Sequence, residues 1–162
     1  MSGTYNTDQI NAVWNRVTAQ QKANGAHGAG PNEPKQLAAL MDDVASDADA
    51  YRAMAQACQD KANRRLFLTI AADKTRQLQA LQAAYFARVG DVYKLKVRRQ
   101  QSHGLLAALQ ARYAGEQKRA RAYAQAEQNT HDQQLKKLYK TLAADTYRHL
   151  EAVSGVIKRL MQ

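Results

Sequence analysis

The sequence predicts an all-α protein made of two copies of one helical hairpin, and two observations carry this prediction. The segments 66–73 and 138–145 lie 72 residues apart and are identical at five of eight positions. Further identities recur at the same spacing, so the register between the copies is constant. The composition, with only two prolines and eight glycines among many helix-forming residues, is typical of helices. We therefore expect an antiparallel bundle of four helices.

The region before the bundle, residues 1–32, is predicted to hold a short N-terminal helix and a linker. Thr7 can cap this helix, and the glycine-rich stretch 24–32 favours a flexible connection. Four apolar residues fall on one face of the helix at the spacing of an amphipathic segment, namely Ile10, Val13, Trp14 and Val17. This stripe requires a surface to dock on.

The bundle itself spans residues 33–162 and begins with two long helices. The first is predicted over 33–59 with Asn32 as its cap, and the second from Asp60 to Gly90. The turn between them is very short, so the two helices must lie antiparallel.

The second hairpin follows a long connection. Residues 91–101 are predicted to form a crossover, after which Ser102 can cap a third helix that ends near residue 128. Thr130 and Gln133 have the spacing of a capping box, which predicts a fourth helix from there to the C-terminus. Four helices with one long crossover have the connectivity of ferritin-like bundles.

Length and composition exclude several classes of protein. A chain of 162 residues is the size of one domain, and no apolar run approaches the roughly 20 residues that span a bilayer. The single cysteine, Cys58, cannot form an internal disulfide, and it is expected in the core. No phosphate-binding glycine loop and no arrangement for nucleophilic catalysis is present. We expect a cytoplasmic protein that makes no contact with a membrane.

The charge is unevenly distributed along the chain, whose net charge is +10. Residues 1–60 carry a net charge of −3, so the remainder carries +13. Such a field favours an acidic protein or another anionic partner. Nucleic acid is a less favoured partner, because no reading helix or stacking sheet is evident. The candidate anion-binding surface consists of Lys94, Lys96, Arg98, Arg99, Lys118, Arg119, Arg121, Lys136, Lys137 and Lys140.

The second copy resembles a rubrerythrin-type ferritin-like domain. In that family a metal-ligand Glu lies seven residues before a Tyr, and a later helix reads Ala-x-Asp-Glu-x-x-His. Here Glu116 precedes Tyr123 by seven residues, and segment 142–149 reads Leu-Ala-Ala-Asp-Thr-Tyr-Arg-His. The first copy matches in frame through 44–51 and 70–77. The resemblance implies a ferritin-like bundle with two metals in its core.

Segment 7–17 also resembles the leader of small bacterial ferritin-like proteins. Members of the family pair through long helices, so the resemblance implies a homodimer.

The six positions that would hold two metals have largely lost their ligands. Of the residues that the resemblance places there, Glu116 and His149 keep the family's chemistry. The vacated positions carry Val44, Lys74, Gln77 and Thr146. Two ligands of six do not form a di-metal site, so we expect no cofactor and no catalytic residue.

Lys74 has a specific physical consequence in this core. It places a cation where a metal centre needs an anion, and an uncompensated buried charge costs several kcal/mol. We therefore expect Lys74 to form a core ion pair with Glu116.

Three functions follow from this reading of the sequence. The first is a degenerate bundle that acts as a scaffold or binding protein. An alternative is a metal-dependent oxidoreductase that handles peroxide or ferrous iron, with iron or manganese held in a rearranged site of Asp47, Glu116 and His149. Another alternative is a protein that binds anions or nucleic acid through its basic surface.

Overall fold

The computed structural model describes residues 32–162, which form a bundle of four helices. These are α1 (Glu33–Ala57), α2 (Lys61–Val89), α3 (Leu105–Asn129) and α4 (Gln133–Leu160). Helices α1 and α2 pack against each other along their lengths, as do α3 and α4. The predicted all-α bundle of two hairpins is confirmed. The predicted N-terminal helix and its linker lie outside the described residues.

The two hairpins begin at equivalent positions. Glu33 and Leu105, the first residues of α1 and α3, are 72 residues apart, as are Lys61 and Gln133 at the starts of α2 and α4. This offset is the one that relates the repeated segments. The two hairpins can therefore be compared residue by residue.

Contacts at the lower end of the bundle, where α1 begins, show how the hairpins face each other. Glu33 at the start of α1 accepts a hydrogen bond of 2.7 Å from Thr130 at the end of α3. Arg88 at the end of α2 forms an ion pair with Asp132 at the start of α4. Neighbouring helices of different hairpins are thus antiparallel as well.

Helices α2 and α4 start at equivalent caps. Asp60 accepts from the backbone N–H of Asn63, and Asp132 accepts from the N–H groups of Gln134 and Leu135. The predicted capping box at Thr130 is therefore wrong. The hydroxyl of Thr130 instead donates a hydrogen bond to Glu33 and accepts one from the backbone N–H of Asp132.

Two other predicted bounds differ from the structure. The first helix ends at Ala57 rather than at residue 59, because the carbonyl of Cys58 turns out of the helix and accepts two hydrogen bonds from the guanidinium of Arg64. The third helix is not capped by Ser102. It begins after Gly104, whose φ of 94° only glycine adopts readily. The second helix does end at Gly90, in the left-handed conformation, as predicted.

The crossover, residues 90–104, runs along α1. Asp42 accepts hydrogen bonds from the Tyr93 hydroxyl at 2.9 Å and from the backbone N–H of Lys96 at 2.8 Å. Ser46 accepts from the backbone N–H of Arg98 at 2.9 Å. Because these acceptors lie on α1, the crossover is fastened to the first hairpin before it reaches the second.

The core consists of two apolar clusters separated by polar residues. The lower cluster, near the start of α1, includes Leu37, Leu81 and Tyr139, and the upper cluster includes Phe67 and Val153. On every helix, buried polar residues lie between the positions that form the two clusters. None of the helices within residues 32–162 has a stretch long and apolar enough to cross a membrane.

Candidate functional site

The candidate site is a buried polar layer at mid-height of the bundle. Helix α1 contributes one residue to it and each of the other helices contributes two. The layer consists of Asp47, Lys74, Gln77, Glu116, Arg119, Thr146 and His149, all of them buried. Buried charges require paired and hydrogen-bonded surroundings, so the contacts within this layer determine what it can do.

Lys74 and Glu116 form the centre of the layer. The Nζ atom of Lys74 lies 2.6 Å from Oε1 and 2.7 Å from Oε2 of Glu116, and both side chains have no exposed surface. The sequence places these two residues together, and the structure brings them within hydrogen-bonding distance. Burial lowers the pKa of Lys74, and the charge of Glu116 opposes that change. The ammonium thus neutralises the buried carboxylate.

Asp47 and Arg119 form a second buried ion pair beside the first. Arg119 Nη1 contacts Asp47 Oδ2 and lies 3.3 Å from Glu116 Oε2. Burial acts against the charged form of Arg119, but the carboxylates of Asp47 and Glu116 outweigh it and raise the pKa of Arg119. Arg119 was predicted on the anion-binding surface, and that prediction is wrong because its side chain is only 5% exposed.

Arg112 is the second arginine that forms an ion pair with Asp47. Its Nη1 lies 2.6 Å from Asp47 Oδ1, and its Nη2 donates to the side-chain oxygen of Gln100 in the crossover. Both carboxylate oxygens of Asp47 are therefore occupied by guanidinium groups. The sequence did not predict the contact of Arg112 with Asp47. The contact of Arg119 had one signal in the sequence: Asp47 and Arg119 are 72 residues apart and so occupy equivalent positions in the two hairpins.

His149 lies at the edge of the layer and bridges α4 to α2. Its Nε2 lies 3.0 Å from Asp73 Oδ2, and its Nδ1 lies 3.9 Å from Glu116 Oε1. Burial and the nearby charge of Lys74 lower the pKa of His149 to about 4. The imidazole is accordingly neutral at pH 7, and its Nε2–H donates to Asp73.

The contact between His149 and Asp73 has a counterpart in the other half of the layer. Gln77 Nε2 lies 3.4 Å from Asp145 Oδ2, and the equivalent of Gln77 in the second hairpin is His149. Asp73 and Asp145 are likewise equivalent. Each of these two aspartates therefore contacts a helix of the opposite hairpin.

The ion pair of Lys74 and Glu116 has no charged counterpart. The equivalent positions carry Thr146 and Val44. Thr146 donates its hydroxyl to the backbone carbonyl of Leu142 at 2.8 Å, and Val44 belongs to the lower apolar cluster. Lys74 and Glu116 therefore carry opposite charges, whereas the residues equivalent to them are both uncharged.

Several buried polar atoms around the layer have no hydrogen-bond partner within residues 32–162. They include the hydroxyls of Tyr51 and Tyr123, which are equivalent residues, together with Arg119 Nε and Gln77 Oε1. Burial raises the pKa of both tyrosines above the ordinary value, so the two hydroxyls stay protonated. Such unpaired groups indicate a polar interior that side-chain packing alone does not satisfy.

The other residues of the predicted anion-binding surface fall into two groups. Arg98 pairs with Asp43 and Arg99 pairs with Asp49, although both arginines remain largely exposed. The remaining seven form no ion pair with the described part of the chain, and these are Lys94, Lys96, Lys118, Arg121, Lys136, Lys137 and Lys140. They lie on the crossover and on the outer sides of α3 and α4.

The described residues contain no group of three or more His, Cys, Asp or Glu side chains placed to hold a metal ion. The proposed rearranged site illustrates why: Asp47 is bound by two arginines, Glu116 by Lys74, and His149 by Asp73. Comparison with known proteins finds no family model, no curated protein and no solved structure that matches this chain.

Proposed function

We propose that this protein is a degenerate ferritin-like bundle of the rubrerythrin type that lacks a functional di-iron site and acts as a scaffold or binding protein. The observation that carries the proposal is the position of the Lys74 ammonium, within 2.7 Å of both oxygens of Glu116, where both side chains are fully buried. A di-metal centre requires anionic ligands at this place, and the chain supplies a fixed cation there.

The charge balance of the polar layer supports the same conclusion. Two buried carboxylates, Asp47 and Glu116, face two buried cations, Lys74 and Arg119. Added divalent metal would leave positive charge uncompensated in a medium of low dielectric constant. The buried carboxylates are therefore neutralised by side chains of the chain itself, and we place the function on the surface.

The alternative of an oxidoreductase with iron or manganese bound by Asp47, Glu116 and His149 gains no support from this geometry. Binding a metal there would require Arg112, Arg119 and Lys74 to leave their carboxylates. Breaking a buried pair is costly because each released charge stays unpaired in the core, typically about 3–5 kcal/mol.

Binding of an anionic partner is a second candidate, and the exposed lysines without ion pairs favour it. Lys137 and Lys140 lie on one side of α4, and Lys118 and Arg121 lie on the outer side of α3. An acidic protein surface is the partner of complementary charge. A homodimer remains part of this proposal, because members of the rubrerythrin-type family that the sequence resembles pair through long helices.

A metal-loading experiment tests the first proposal. The protein is incubated anaerobically with excess Fe²⁺ or Mn²⁺, desalted, and measured by elemental analysis. We expect no stoichiometric metal. The double variant Lys74→Glu/Gln77→His, which restores a Glu-x-x-His sequence on α2 opposite Glu116 and His149, is expected to gain metal binding. Gln77→His alone, which keeps the ammonium, is the matched control and is expected to gain none.

Two metal ions per chain in the unmodified protein would overturn this proposal. The second candidate is tested by retention on heparin, which should fall steeply with added salt and fall further in the variant Lys137→Glu/Lys140→Glu. Weak retention at low salt would remove it.

A further inference from the structure

An apolar groove of about 880 Å³ opens between α1 and α3 at the upper end of the bundle. Alanines form much of its walls, three from each helix: Ala50, Ala53 and Ala57 on α1, and Ala107, Ala108 and Ala111 on α3. Because these side chains are short, the two helices leave space between them that a large side chain from elsewhere can fill.

The crossover covers α1 only as far as this groove begins. Tyr93 and Leu95 pack against the lower apolar cluster, and the last contact of the crossover with α1 is the ion pair between Arg99 and Asp49. The crossover then leaves α1 for α3, and its residues 100–104 border the groove without filling it. The lower end of α1 thus has an apolar cover, and the next turn, starting at Ala50, has none from residues 32–162.

The duplication indicates which segment of the chain belongs at the upper end. Subtracting 72 from the crossover positions 90–103 gives residues 18–31. The crossover connects the end of α2 to the start of α3, so the repeat predicts for residues 18–31 a path from the end of α4 to the start of α1. The end of α4 lies at the upper end, where Arg159 donates to Asn63 near the start of α2. The repeat therefore predicts that the segment before residue 18 starts from the end of the bundle where the groove opens.

The length of chain outside the structure is sufficient for this path. From Asn32 to Ala53, α1 spans about 30 Å at 1.5 Å per residue. Residues 18–31 can reach about 45 Å when extended. The segment before them carries the apolar stripe that the sequence analysis leaves without a surface, including the only tryptophan of the chain, Trp14.

We propose that segment 7–17 docks in the groove between α1 and α3 of its own chain, with Trp14 placed between the alanine ridges. The bulky residues of the stripe complement the short side chains of the groove, and the tether keeps the local concentration of the segment high. In this arrangement the segment fills the groove and covers the upper apolar cluster. This inference does not depend on the function proposed above.

Fluorescence of Trp14 tests the docking in the full chain, because a buried indole emits at shorter wavelength than a hydrated one. We expect a blue-shifted emission in the native protein that moves to the wavelength of the urea-unfolded chain in the variant Ala53→Glu/Ala107→Glu. Both alanines are exposed, so the charges need not disturb the bundle. The matched control is Ala72→Glu/Ala144→Glu, exposed and equivalent positions on α2 and α4, and it should leave the emission unchanged.

Native emission at the wavelength of the unfolded chain would overturn the proposal, as would equal shifts in both pairs of variants.

Quenching by a nitroxide label distinguishes docking within one chain from docking between two. In a Cys58→Ser background, a nitroxide on Ala53→Cys should quench Trp14, and one on Ala72→Cys should not. In a second experiment, the Ala53→Cys protein also carries Trp14→Phe. It is labelled with the nitroxide and mixed with unlabelled native protein. Quenching in that mixture would show that the segment docks on a second copy and would overturn the intrachain proposal, as would the absence of quenching in the first experiment.

Discussion

Asp47 of α1 forms its buried ion pair with Arg119 of α3, the residue that occupies the same position in the second hairpin, 72 residues later. In an arrangement with approximate two-fold symmetry, a residue near the axis faces its own equivalent. Two identical charges there would repel each other, so an assembly of identical hairpins could not form this pair. Joining the two hairpins in one chain lets the equivalents carry opposite charges.

The same reasoning applies to the contacts of His149 with Asp73 and of Gln77 with Asp145. These are two versions of one contact across the axis. The uncharged Thr146 and Val44 stand opposite Lys74 and Glu116 in the repeat. Divergence of the two copies has therefore left the ion pair of Lys74 and Glu116 without a charged counterpart.

Replacing only one residue of the Lys74–Glu116 pair should lower the free energy of unfolding more than replacing both residues. We expect Glu116→Leu to lower the free energy of unfolding by about 3–5 kcal/mol, because the ammonium then stays buried without its partner. The double variant Lys74→Met/Glu116→Leu should recover most of the loss, since apolar residues of similar volume replace both charges. Urea unfolding of the native protein, the two single variants and the double variant measures this coupling. Additive losses in the double variant would contradict the pair.

Asp47 should be far more important for stability than its neighbour Asp43. The substitution Asp47→Asn leaves Arg119 and Arg112 without their carboxylate in a buried place, and we expect a loss of about 3–5 kcal/mol. Asp43→Asn breaks an exposed pair with Arg98 and should cost at most about 1 kcal/mol. Thermal or urea unfolding of the two variants provides the comparison. Similar losses in both would contradict the charge network described for α1 and α3.

His149 should make the protein less stable as the pH falls. Its pKa is about 4 in the folded protein and 6.5 in the unfolded chain, so between these values only the unfolded chain binds the proton. Stability from this residue is fully present above about pH 6.5 and is lost towards pH 4, by up to about 3 kcal/mol. The charged groups that face the ring are Asp73 and Lys74 of α2 and Glu116 of α3.

The variant His149→Gln, which copies its equivalent Gln77, isolates this effect. The difference in unfolding free energy between the native protein and the variant should change between pH 7 and pH 4.5, with the variant less sensitive to acid. Urea titrations at several pH values measure this difference. A difference that stays constant over this range would mean that folding does not lower the pKa of His149.

The crossover should depend on Asp42 for its attachment to α1. Because Asp42 accepts from the Tyr93 hydroxyl and the Lys96 N–H, the substitution Asp42→Ala should raise the amide exchange rate of residues 93–98. Amides in the middle of α4 serve as the internal reference and should exchange as before. The control Asp91→Ala removes a carboxylate that bonds only the adjacent N–H of Val92. Unchanged exchange in the crossover of Asp42→Ala would show that other contacts hold it.

The internal repeat made much of the architecture predictable, because an offset that persists through four helices leaves little choice of pairing. The cap at Asp60 followed from the sequence, and its equivalent Asp132 could have been inferred in the same way. The capping box at Thr130 was chosen instead because its spacing satisfied a local rule. The structure shows that the hydroxyl of Thr130 donates a hydrogen bond to Glu33 on a different helix. A rule that considers only neighbouring residues in the sequence cannot include this contact.

For the polar layer, the repeat and the resemblance to rubrerythrin-type domains placed five residues in the core before the structure was known, namely Lys74, Gln77, Glu116, Thr146 and His149. They also placed Lys74 opposite Glu116. Only the tertiary structure decided that Asp47 is held by Arg112 and Arg119, and that Arg119 belongs to the interior rather than to a basic surface. The reason is physical: a long, charged side chain can reach solvent or a buried partner from the same backbone position, and the choice depends on carboxylates contributed by another helix.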